Sequence, residues 1–152
     1  MAEIKPPDFN LLVRYNVLQF FARECRAPAY QEIARLIGRP PEAVRQAYRQ
    51  LHDRHLLFLE ENTPVIRMAH PFSSVPTYYQ VRSGSKAWWA NCAWDALGIP
   101  AAMGIDAEIT ARYAGSNETV QLLVEGGKFD GRGHVAYFAV PFRYWYVDLV
   151  YT

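Results

Sequence analysis

Two side chains three positions apart, Cys92 and Asp95, carry the strongest chemical signal in this sequence. A thiolate is a strong nucleophile and a soft-metal ligand, and a carboxylate beside it can act as base or proton relay. On a helix the two positions share a face, so both groups can reach one small ligand. The pair also fits a plain structural role, with the thiol as a small core group and the carboxylate as a local cap. His134, at the head of an apolar run, and Arg132 and Arg143 are the polar candidates of the last third. A histidine in that setting also fits a hydrogen-bonded residue at the edge of a core. Cys25 is the only other thiol, and two cysteines are too few for a four-cysteine zinc site or a disulfide scaffold.

The elements that must position these groups follow from the local pattern. His70 to Arg82 holds two prolines, which predict an extended or looped path leading into a strand. Ser83-Gly84-Ser85 reads as a turn. Ala87 to Leu97 lacks turn residues apart from Asn91 and predicts a helix stopped at Gly98, with Ile99-Pro100 restarting the chain. Glu108 to Tyr113 and Thr119 to Val124 read as paired strands joined across Ala114 to Asn117. Glu125 to Lys128 is a turn, His134 to Val140 a buried strand ended by Pro141, and Phe142 to Tyr151 an aromatic terminal segment. Tyr78, Tyr79, Trp88, Trp89 and Tyr137 are candidates to wall an apolar pocket, or to serve as core.

The first half reads as helical. Asp8 is the expected N-cap of a helix over Phe9 to Glu24. A second helix covers Tyr30 to Ile37 with Gly38 as its stop, and a third starts at Pro40-Pro41 with the stripe Val44, Ala47, Tyr48 and Leu51. Leu56 to Leu59 and Val65 to Met68 read as a hairpin. Three helices and a hairpin predict a winged helix-turn-helix module over residues 1–70, followed over residues 71–152 by a mixed β-sheet domain with a cysteine-bearing helix. The fold class is α+β. Arg45, Arg49 and Arg54, with Gln46, Gln50 and His52, suit a DNA recognition helix. Residues 1–70 carry ten basic and eight acidic side chains, however, so DNA binding ranks below a structural or dimerising role.

The whole chain of 152 residues is 51% hydrophobic and 20% charged with a net charge of +1. That composition supports a folded chain and gives no global argument for nucleic acid or an anionic membrane. The start lacks the apolar core of a signal peptide, and no run approaches the ~18 apolar residues of a membrane span. A reduced, cytoplasmic protein is expected.

Taken in order, AHPFSSVPTYYQV (Ala69 to Val81), WANCAWDALGIPAAMG (Trp89 to Gly104) and HVAYFAVP (His134 to Pro141) resemble the alkylmercury lyase, or organomercurial lyase, family. The resemblance implies an alkylmercury-lyase-like core and protonolysis of a carbon–mercury bond. It implies Cys92 as the thiolate that captures mercury and Asp95 as the group that passes a proton to the leaving carbon. The family's second cysteine precedes the late strand, where this chain has Asp130-Gly131-Arg132-Gly133-His134 and no thiol. A single thiolate with an aspartate is expected to capture an organomercurial and to cleave it poorly. Arg132 or His134 would then replace the missing thiol as anion binder or proton donor, on a small-molecule substrate that need not contain mercury. No cofactor is implied. Two other readings compete: a winged-helix regulator with Cys92 as a sensing thiol, and a single-thiol sequestering protein for mercury or copper.

Overall fold

The computed structural model describes residues 8–113, 115–116, 118–136, 138 and 140–147. Three helices come first: α1 (Phe9–Glu24), α2 (Tyr30–Ile37) and α3 (Pro41–Asp53). Each ends where the local chemistry predicts. Asp8 accepts the backbone N–H of Asn10 at 2.9 Å and so caps α1, and Gly38 closes α2 in the left-handed conformation at φ 63°. Pro41 occupies the first position of α3, where a missing N–H costs nothing.

The remaining described residues build one sheet around a single further α-helix. Its strands are β1 (Phe58–Leu59), β2 (Ile66–Ala69), β3 (Phe72–Ser73), β4 (Tyr79–Ser83), β5 (Lys86–Ala90), β6 (Ala107–Arg112), β7 (Thr119–Glu125) and β8 (Lys128–Asp130). The helix α4 (Ala93–Met103) lies between β5 and β6, and a short 3-10 turn covers Phe142–Tyr144. Spatial order in the sheet is β1-β2-β3-β5-β4-β6-β7-β8. The architecture is therefore α+β, but the sheet is antiparallel at every pairing rather than mixed. The reason is topological. α4 does carry the chain from β5 to a strand running the same way, β6, but β4 lies between the two and opposes both.

Three local expectations are corrected. Residues 86–90 form a strand rather than the first half of a helix, because Trp88 and Ala90 are buried and Lys86 is exposed in an alternation of period two. The helix begins later and runs through Gly98 to end at Gly104 (φ 63°). Gly98 is there for proximity: a Cβ added to it would stand 3.4 Å from the Pro71 side chain. Finally, the described residues from His134 to Val140 form no strand, and Val135 is 89% exposed. Tyr137, the two ends of the expected 114–117 turn and the segment after residue 147 lie outside the described residues.

The core crosses the expected boundary at residue 70, which falls in the turn between the paired strands β2 and β3. Val13, Val17 and Phe21 of α1 share one apolar cluster with Val81, Trp88 and Ile99. The Trp88 indole N–H donates to the Phe21 carbonyl at 2.9 Å, and the Phe21 and Phe72 rings stack at 5.3 Å. Among the described residues no helix is long and apolar enough to cross a membrane.

Candidate functional site

The site starts where β5 becomes α4. Cys92 is the N-cap residue of the helix, with extended backbone (φ −150°, ψ −179°), and its carbonyl accepts the Ala96 N–H at 2.9 Å. Asp95 is therefore in the first turn, one turn above the thiol on the same face. Its residue is only 8% exposed. A carboxylate so buried needs donors, and it has two on one oxygen. His70 Nδ1 lies 3.1 Å from Asp95 Oδ2, and Asn91 Nδ2 donates to that same oxygen at 3.0 Å. Asn91 is itself anchored, because its amide N–H also reaches the carbonyls of Pro71 and Phe72, both at 3.3 Å. The Asn91 side-chain oxygen is buried with no partner among the described residues.

The thiol's environment makes it harder to ionise. Burial pushes the Cys92 pKa up, and the negative charge of Asp95 adds to that push. The backbone N–H groups of Asp95 and Trp94 at the helix start pull the other way. Burial first, and then the charge of Cys92, raise the pKa of Tyr79 on β4.

A cavity of about 780 Å³ opens over Asp95. His70 and Asp95 line it with Arg14 from α1, and Trp94, Trp145 and Tyr146 supply much of its apolar wall. Of the aromatic residues expected as pocket wall or core, Trp88 is core and Tyr79 lines a second cavity of about 340 Å³, while Tyr78 is 61% exposed.

His134 and Arg132 do not line the cavity over Asp95. His134 lines the second cavity, with its ring nitrogen Nδ1 hydrogen-bonded to the Tyr113 hydroxyl. Arg132 is exposed on a turn at φ 47°, and its backbone N–H and guanidinium both face Asp130. Neither makes a hydrogen bond or ion pair with Cys92 or Asp95. Cys25 closes α1 in the left-handed conformation (φ 57°) and is partly buried against the core. Arg45 of α3 is paired with Glu42 at 2.6 Å, and Arg54, just past the helix, lies 3.7 Å from Asp8. Among the described residues no group of three or more His, Cys, Asp or Glu converges as a metal site.

A model of the alkylmercury lyase family matches residues 72–148 of the chain, which takes in Cys92, Asp95 and the whole sheet from β3 onward. The chain belongs to the alkylmercury lyase family. No curated protein matches the sequence. The fold is similar to the crystal structure of the mercury-bound form of MerB2, with a TM-score of 0.67 and 24% identity, over 83% of this chain and 60% of that one. The chain thus spans 60% of the length of that structure. Within this family member, His70 and Arg14 precede the matched segment, although both line the cavity over Asp95. Neither stands out in the sequence as a site residue. His70 is 25 positions from Asp95, and no spacing rule joins a loop histidine to a carboxylate on a later helix.

Proposed function

We propose that this chain captures an organomercurial on Cys92 and releases its organic group by protonolysis through Asp95. The observation that carries the reading is the placement of a buried, doubly held carboxylate one helical turn from a thiol whose ionisation it opposes. The Cys92 thiol loses its proton to solvent, and the thiolate forms the sulfur–mercury bond as the substrate's original anionic ligand leaves. Asp95, protonated from solvent, then gives its proton to carbon as the carbon–mercury bond breaks. Mercury is left on Cys92 as a cation, which a small-molecule thiolate removes. Mercury's preference for sulfur over oxygen or nitrogen supports this order of events. Two donors on Oδ2 leave the other oxygen of Asp95 for the travelling proton. The mercury-bound state of the similar MerB2 structure supports mercury as the captured ion.

The order α1-α2-α3-β1-β2 supports a winged-helix arrangement for the first part, used here to build one wall of the cavity through Arg14 and Leu56. Arg45 on the third helix is paired with Glu42, and Arg54 just past it faces Asp8, so DNA is not part of the proposal. Capture without turnover is the second reading, favoured by the absence, among the described residues, of another thiol in contact with Cys92.

Phenylmercury with excess small-molecule thiol decides between them. Benzene release that disappears in Cys92→Ser and survives in Cys25→Ser is the expected result. Stoichiometric binding of phenylmercury with no benzene would leave only capture.

A further inference from the structure

The cavity over Asp95 has a polar feature that proton transfer does not use. Arg14 reaches it from the second turn of α1, and its Nε–H donates to the Leu56 carbonyl at 3.0 Å. That bond holds the guanidinium and leaves its terminal N–H groups without a partner among the described residues. Arg14 has no acid within ion-pairing reach among the described residues; Arg35, Arg39, Arg49, Arg82, Arg112 and Arg143 share that condition but are exposed, whereas Arg14 is half-buried. An arginine that is partly buried and unpaired is costly, and burial lowers its pKa. The surrounding wall is mostly apolar, with Trp94, Phe138, Val140 and Trp145. An apolar chamber with one forked cation suits a ligand with an apolar body and a planar anionic end, because a guanidinium meets a carboxylate in two parallel hydrogen bonds.

We propose that this cavity is the subsite for the substrate's organic group, and that Arg14 selects groups carrying a carboxylate. The inference rests on the lyase reading for its substrate, but the subsite itself can be tested without mercury. Asp95 lies on the same cavity, and its charge is already engaged by His70 and Asn91, so the anionic end belongs at Arg14.

Two arms test the proposal. In the first, cleavage of 4-(hydroxymercuri)benzoate and of phenylmercury is compared in the wild type, Arg14→Met and Arg14→Lys. Arg14→Met is expected to lower kcat/KM about tenfold or more for the carboxylate substrate, as for loss of a charged hydrogen-bonded pair, and less than about twofold for the neutral one. Arg14→Lys retains part of the preference. In the second arm, benzoate and benzamide are titrated into Cys92→Ser by calorimetry. Benzoate binding that needs Arg14, with no benzamide binding, supports the subsite even if no mercurial is cleaved, in which case the lyase reading alone fails. Equal losses on both mercurials, or benzoate binding unchanged in Arg14→Met, would overturn the proposal while leaving the lyase reading intact.

Discussion

Replacing Asp95 by asparagine should move capture and cleavage in opposite directions. The substitution preserves shape, and the carbonyl oxygen of the new amide can still accept from His70 and Asn91, so the helix start is expected to hold. What disappears is the negative charge. That charge opposes ionisation of Cys92, so the thiol's pKa falls in the variant and the alkylation midpoint shifts to lower pH. Below the midpoint each drop in pKa raises the thiolate fraction in full. It lowers the thiolate's intrinsic reactivity only by a Brønsted factor of about 0.4–0.5, so capture speeds up. Cleavage instead loses its proton carrier. General acid–base groups contribute about 10²–10⁴ in rate, equivalent to roughly 3–5 kcal/mol in the barrier. Iodoacetamide alkylation across pH, followed by mass spectrometry, reads the first effect, and benzene release under excess thiol reads the second. Slower alkylation together with slower turnover would mean that Asp95 activates the thiol instead. Turnover within about threefold of wild type would remove Asp95 from the chemistry.

Two further outcomes test the supports of this site. His70→Ala removes one of the two donors on a buried carboxylate and should cost about 1–3 kcal/mol of unfolding free energy while lowering kcat. His70→Asn, whose amide can replace the Nδ1 donor, should recover part of kcat; a kcat unchanged in His70→Ala would show that the hydrogen bond is incidental. Trp88→Phe deletes the indole bond to the Phe21 carbonyl between sheet and α1, and a urea titration should show a loss of about 1–3 kcal/mol. An unchanged midpoint there would mean that the core contacts of α1 suffice without the bond.

Local pattern was enough for the helices of the first half. Asp8, Gly38 and Pro41 act within a few residues of themselves, so capping chemistry located α1 to α3 almost to the residue. The pairing of residues 107–112 with 119–125 and the turn at 125–128 were legible for the same reason, since Gly126 and Gly127 take the positive φ that this turn needs, whereas the short strand β8 beyond it was not read. The tryptophan-rich segment was misread because Lys86 to Ala90 is too short for its periodicity to be distinguished from a helix by pattern alone. Its pairing with β4 and β3 decides that it is a strand, and that pairing is non-local. The stop at Gly98 failed likewise, because this glycine answers to Pro71, a neighbour in space only.

The site divides along the same line. Cys92 and Asp95 were readable because a helical turn separates them, and one turn is a local geometry. The motifs around them resembled the alkylmercury lyases, and the family match bears that out. The His70 contact to Asp95, the anchoring of Asn91 on Pro71 and Phe72, and the presence of Arg14 in the same cavity arise only when β2, β3, α1 and α4 pack together. Sequence alone thus determined which thiol and which carboxylate stand together. Tertiary structure decided which donors hold that carboxylate and what shares its cavity. The His70 contact joins residues 25 positions apart, and Arg14 is farther away still, so their approach is set by burial of a common core and by no local rule.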